Sequence, residues 1–203
     1  RSTLMRSSAA SDVYKRQVED TGLQVCVIDS KQASIGTGAI ALQAAMWLEE
    51  GAGFQELCAK VEELCKNTSV FFSIDTLEYL QKGGRIGKAT AMIGTALSIK
   101  PVLSFDEEGE IYTPAKVRGR KLVEKKLLQL VEEKITDREH QHDRYNLIVA
   151  DGGAPEERKE LEKKIKQMFP NYENLFCAKI GAALSTYLGD GLLGAGVQFI
   201  GND

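Results

Sequence analysis

The sequence predicts an α/β protein in two parts, and three observations carry that expectation. Val25-Cys-Val-Ile28 is a short β-branched run of the kind found in buried parallel strands, and two helical patterns follow it. After Asn67-Thr-Ser69 the rhythm changes to short apolar strands alternating with amphipathic helices. With 43% hydrophobic residues among 203, the chain has enough apolar surface to build a core. Residues 18–68 therefore read as one α/β unit and residues 69–203 as a second α/β unit built on a mixed sheet.

In the first unit the strand leads to Gly38–Glu50, a nearly all-apolar helix stopped by Gly51 and Gly53. Phe54, Leu57, Cys58, Val61, Leu64 and Cys65 fall at i, i+3, i+4, i+7, i+10 and i+11, the pattern of an amphipathic helix. In the second unit, strands are expected at Val70–Ile74, Pro101–Phe105, Glu110–Tyr112, Asn146–Ala150, Leu175–Lys179 and Ala195–Ile200. Glu107-Glu-Gly109 supplies a hairpin turn between two of them. Helices are expected at Lys88–Leu97, Arg120–Lys134 and Pro155–Met168, with helical character also in Asp75–Lys82. Pro155 suits a first helical position, and Glu156 and Glu157 suit the positive end of the helix dipole.

Composition excludes several classes. A formal charge of −3 leaves no general attraction for nucleic acid or anionic membrane. The basic residues from Lys116 to Lys126 alternate with Leu122, Val123, Leu127 and Leu128, which describes the solvated face of a helix. No apolar run approaches the roughly 18 residues of a membrane span, so a cytoplasmic location is expected. Cys26, Cys58, Cys65 and Cys177 lack Cys-x-x-Cys spacing and read as reduced core residues, with no metal site implied. His140 and His142 sit in a charged loop and read as solvated. Asp12-Val-Tyr-Lys-Arg-Gln17 corresponds to the translated end of a transposase-based sequencing adaptor. Residues 1–17 also lack apolar periodicity, so they are set apart as non-native.

Four patterns bear on function. Gly36-Thr-Gly-Ala-Ile-Ala41 has dinucleotide-fingerprint spacing, but seven residues separate it from Asp29, where the fingerprint turns directly from strand to helix. This helix start is left to hold an anion or to pack tightly. Gly83-Gly-Arg-Ile-Gly-Lys-Ala-Thr90 resembles a P-loop, yet has Lys82 where the first glycine belongs and Ala89 where the magnesium hydroxyl belongs. Ser73, Ser98 and Ser185 have no Gly-x-Ser-x-Gly setting and assemble no triad. The remaining motif is Gly83-Gly-Arg85. Its glycines permit positive φ and close approach, and Arg85 projects a fork of donors suited to a carboxylate or phosphate. A structural salt bridge at Arg85 is the alternative.

Phe72 to Ile86, Ser98-Ile-Lys-Pro-Val-Leu103, Lys116-Val-Arg118, Ile180-Gly181 and Leu188 to Gly196 together resemble the DegV family of bacterial fatty-acid-binding proteins, from about Val25 to Phe199. The resemblance implies a two-domain fold shared with dihydroxyacetone kinases. Residues 18–68 would be the C-terminal remnant of a three-layer, parallel-sheet first domain, whose missing part carries Thr and Ser ligands for the carboxylate. Residues 69–203 would be the mixed-sheet second domain. It implies a long-chain fatty acid bound between the domains, no further cofactor, and a separate fatty acid kinase that receives the carboxylate, the binder having no chemistry of its own. A phosphotransferase acting on a small substrate is the competing class.

Carried over by residue, the family arginine falls on Arg85 and the turn glycines on Gly83 and Gly84. The closing stretch Thr186-Tyr-Leu-Gly-Asp-Gly191 puts Tyr187 where the family often has histidine; a hydroxyl donates to a carboxylate but adds no positive charge. With the head group at Arg85, the tail is expected along the helix that follows, against Ile86, Met92, Ile93, Ala96 and Leu97. The same side chains would also serve as ordinary core.

Overall fold

The computed structural model describes residues 21, 23–94, 96, 98–137 and 143–201. Residues 1–17, Leu97, His140 and His142 lie outside the described residues, as do the expectations placed on them. Two helices open the described chain, α1 (Ile35–Glu49) and α2 (Phe54–Lys66). Then come β1 (Thr68–Ser73), α3 (Glu78–Lys82), a 3₁₀ turn (Gly87–Met92), β2 (Ile99–Phe105) and β3 (Ile111–Arg118). A 3₁₀ turn (Arg120–Leu122) leads to α4 (Val123–Ile135), followed by β4 (Arg144–Gly152), α5 (Pro155–Met168), β5 (Leu175–Lys179), α6 (Ala182–Leu188) and β6 (Leu192–Gly201).

One mixed sheet has the order β3-β2-β1-β6-β4-β5. Among the described residues only β4 and β5 pair in parallel, because α5 carries the chain back over the sheet between them; every other described pair is antiparallel. Side chains alternate along each strand, so the register assigns two faces. Phe71, Ala195 and Val149 align on one face, covered by α4 and α5 through Leu127, Val131, Leu161 and Ile165. Phe72, Gly194 and Ala150 align on the other. There α1 rests Ala39 on Val70 and Ile148, while α3 and α6 add Leu80 and Leu188. Helices α1 and α2 pack together through Ile40, Trp47, Leu64 and Cys65.

A buried polar chain pins α1 to the sheet. Asn146 Nδ2 donates to Gln43 Oε1 (2.8 Å) and to Gln198 Oε1 (3.0 Å), and Gln198 Nε2 donates to Thr68 Oγ1 (3.2 Å). Asn146 Oδ1 accepts from the backbone N–H and Nδ2 of Asn174, so the fully buried amide is satisfied at both ends.

Four expectations are corrected. Val25–Ile28 forms no strand: among the described residues none runs beside it, so Val25 and Val27 are exposed and only Ile28 packs, against α1 and α2. The described residues of the expected helix Lys88–Leu97 do not form a regular helix, because Gly87 (φ 53°) and Gly94 (φ 81°) take left-handed backbone just before its start and within it. Of the four cysteines only Cys65 is buried; Cys58 is half-buried and Cys26 and Cys177 are exposed, Cys177 on the outer edge strand. Leu122 stands outside the apolar stripe of α4, half-exposed on the turn before it.

Candidate functional site

The face bearing Phe72, Gly194 and Ala150 is hollow. Gly194 and Ala150 are small, so the space between the sheet and its covering helices is not filled from below, and a cavity of about 600 Å³ remains. Phe72 and Phe105 close one part of it with ring centroids 5.7 Å apart, and Val70 and Ile111 extend that wall. Opposite them, Ile180, Leu192 and the α6 side chains Leu184 and Leu188 line it, with Leu80 from α3. The loop before α1 supplies Gln32, Ala33 and Ser34; Lys31 (φ 53°) and Ser34 (φ 55°) there hold left-handed backbone. Charge on the wall is sparse. Among the described residues the lining has one cation, Arg85, and one carboxylate, Glu110, beside Lys88 Nζ at 4.0 Å.

Arg85 reaches its place through the turn that ends α3. Its backbone N–H donates to Leu80 O (2.9 Å), and Gly84 takes the left-handed backbone (φ 66°) that this turn requires. The guanidinium donates from Nη1 to Gly83 O (2.6 Å) and lies 5.1 Å from the ring centroid of Tyr187, a cation–π contact. Arg85 is exposed and has no carboxylate partner among the described residues, so the structural salt bridge considered from sequence is not seen. The structure thus brings Arg85, Gly84 and Tyr187 together at the cavity. Gly83 is beside them for a different reason than expected. Its φ of −76° is open to any residue; a Cβ there would instead strike the Tyr187 ring at 2.5 Å.

Of the proposed tail-lining residues, the four that are described, Ile86, Met92, Ile93 and Ala96, do not line the cavity. Ile86 is buried in the core with Leu103 and Ile111, and Met92 is buried nearby, but neither lines the space. Ile93 and Ala96 are exposed. The irregular backbone after Gly87 turns these residues away, and it is the sheet floor that lines the space. The sequence does not single out Phe72, Ala150, Leu192 and Gly194 as lining residues, since a strand's apolar face looks alike whether it meets a helix or a void.

The other motifs resolve as packing. A Cβ on Gly36 would lie 2.9 Å from Gln32 Oε1 and 3.3 Å from Val70 Cγ2, so that glycine lets α1 approach β1. A Cβ on Gly87 would meet Ile111 O and N at 2.6 and 2.8 Å, and Lys88 pairs with Asp106 rather than standing free for a phosphate. That hydrogen bond holds the Asp106 carboxyl below the usual carboxylate range and raises Lys88. Among the described residues no group of three His, Cys, Asp or Glu side chains is placed to hold a metal ion, and no helix is long and apolar enough to cross a membrane.

A family model described as "Uncharacterised protein, DegV family" matches residues 3–199, a span that takes in most of the segment 1–17. A DegV domain-containing protein of Clostridium perfringens is 33% identical over 180 residues, 89% of this chain and 62% of its own length. One from Clostridium acetobutylicum is 34% identical over 177 residues, 87% of this chain and 61% of its own length. The chain thus spans about three-fifths of the curated relatives it matches. Among solved structures, a DegV family protein from Thermus thermophilus described by its fatty acid binding superposes with a TM-score of 0.80 at 29% identity, covering 90% of this chain and 63% of that one. A stearic acid-binding protein from Eubacterium ventriosum superposes with a TM-score of 0.83 at 28% identity, covering 95% and 66%.

Proposed function

The chain belongs to the DegV family, and on that premise we propose that it binds one long-chain fatty acid in the cavity beneath α3 and α6. The observation that carries this reading is the cavity itself: about 600 Å³, apolar along the sheet floor, with one cation, Arg85, on its wall. That volume lies within the range of small-molecule sites, and that lining suits an alkyl chain with a single anionic end. Charge orients the ligand. Its carboxylate sits at Arg85, with Tyr187 beside it, and away from Glu110, whose negative charge would repel it. The tail lies over Gly194 and Ala150 between Phe72 and Leu192.

Each methylene buried there contributes about 0.8 kcal/mol, so a tail of about fourteen outweighs the roughly 1.5–3 kcal/mol of one charge-assisted hydrogen bond. The head group therefore sets orientation and the tail sets affinity. In this proposal the protein is a carrier: it shields the acyl chain and presents the carboxylate to a separate ATP-dependent kinase for acyl-phosphate formation, in the cytoplasm. The division of the chain at residues 68 and 69 belongs to the same proposal. The rival phosphotransferase reading gains no support from the loop at Gly87, where Lys88 is tied to Asp106 and buried Ala89 offers no hydroxyl. Isothermal titration with palmitate tests the reading: saturable binding at one site supports it, weakened in Arg85→Ala. No binding by the folded protein overturns it.

A further inference from the structure

Two tyrosine rings and two glycines join the short helices α3 and α6 reciprocally. From α6, the Tyr187 ring lies on Gly83 in the turn that ends α3; a Cβ on Gly83 would stand 2.5 and 2.8 Å from its Cδ1 and Cε1. From α3, the Tyr79 ring lies on Gly189 in the turn that ends α6; a Cβ on Gly189 would stand 2.8 and 2.9 Å from its Cε2 and Cδ2. These helices have five and seven residues, too few to persist by their own hydrogen bonds, so packing holds them in place. Both also wall the cavity, α3 through Leu80 and α6 through Leu184, Tyr187 and Leu188. Tyr79 does not line it, and 44% of its surface is exposed.

We propose that Tyr79 and Tyr187 form a clasp that closes α3 and α6 over the cavity, with Tyr79 acting as a positioning residue for the Arg85–Tyr187 end. The ligand named here rests on the fatty-acid reading above; the clasp itself rests on the reciprocal contacts. With Tyr187 seated on Gly83, its ring faces the guanidinium that Gly83 O holds, so one contact shuts the wall and aims Arg85. Lifting each ring off its glycine opens a path between the helices without touching the sheet floor. The clasp therefore governs how fast an acyl chain enters and leaves, while Gly194 and its neighbours govern which length fits.

The test compares wild type with Tyr79→Phe, Tyr79→Ala and Gly83→Ala in two measurements. One is stopped-flow release of cis-parinaric acid; the other is amide hydrogen exchange across residues 182–189 without ligand. Tyr79→Phe keeps the ring on Gly189 and is expected to match wild type in both. Tyr79→Ala and Gly83→Ala are expected to release the acid about five- to tenfold faster, the scale of one lost aromatic contact. They should also speed exchange in 182–189 without speeding it across the sheet, and leave the preferred chain length unchanged. Wild-type release and exchange in both variants overturns the clasp, as does exchange speeded equally across the whole sheet, which would make the rings plain core packing. If no protein, wild type included, binds parinaric acid, the fatty-acid reading fails, and the exchange of residues 182–189 still decides the clasp.

Discussion

Replacing Gly194 by leucine is expected to shorten the preferred acyl chain by about four carbons, the number of carbon atoms it adds to the floor of the cavity. Gly194 is central to that floor, in register with Phe72 on one side and Ala150 on the other. A Cβ there would stand 3.3 Å from Phe71 O and 3.4 Å from Phe72 Cβ, so the strand has to yield only slightly, and the rest of the side chain projects into the void. Removing a glycine from a strand interior also favours the folded state, which offsets that adjustment. Displacing about four methylenes at about 0.8 kcal/mol each loses about 3 kcal/mol for a full-length acid, a weakening on the order of 200-fold. Shorter acids, which end before the introduced side chain intrudes, lose little. Titrating saturated acids of about eight to eighteen carbons against both proteins reads this directly. Equal weakening at every length, or none, in a variant that melts like wild type would refute the floor as the tail's seat.

Arg85→Ala should weaken binding by about 1.5–3 kcal/mol with the melting temperature unchanged, and should reduce acyl-phosphate formation by the proposed kinase partner further than it reduces fatty-acid retention; normal phosphorylation removes Arg85 from the site. Ile93→Ser should leave affinity and chain-length preference as they are, because Ile93 is off the cavity wall; a changed preference in titration restores the helix that follows Arg85 as the tail's path. Asn146→Ala strands Gln43, Gln198 and Asn174 in a buried network and should cost about 3 kcal/mol in urea denaturation. Lys88 holds the Asp106 carboxyl below its ordinary value of about 4, so the folded protein takes up that proton less readily than the unfolded chain. The stability this contributes is present above about pH 4 and is lost as pH falls through the lowered folded value, so Asp106→Asn should flatten the acid limb of melting temperature against pH.

Helices with a clean apolar stripe or a capping signature are legible in the sequence. Pro155–Met168 and Leu175–Lys179 run as expected, since Pro155 fixes the first helical turn and the apolar run Leu175–Ala178 suits a strand. Helix α6 is not legible: seven residues between Gly181 and Gly189 are too few to show a period, and only packing against α3 makes them helical. The hairpin at Glu107-Glu-Gly109 is visible because a left-handed glycine at its end has no substitute, and Gly109 has φ 76°.

The site divides in the same way. Arg85 and the left-handed Gly84 follow from local chemistry that one segment carries. The role of Gly83 does not, because the ring that requires it arrives from residue 187, about a hundred positions away. Nor does the proposed tail path. Gly194 between Phe72 and Ala150 becomes a floor only when three strands align, and no single segment of the sequence displays that register.

Denaturing mass spectrometry of the gently purified protein tests the fatty-acid reading most directly. A cavity of this size and lining should retain lipid through purification, so a long-chain fatty acid is expected near one equivalent per chain, shifting to shorter acids in Gly194→Leu. A folded protein that carries no acyl chain, and takes up none when incubated with palmitate or stearate, would contradict it.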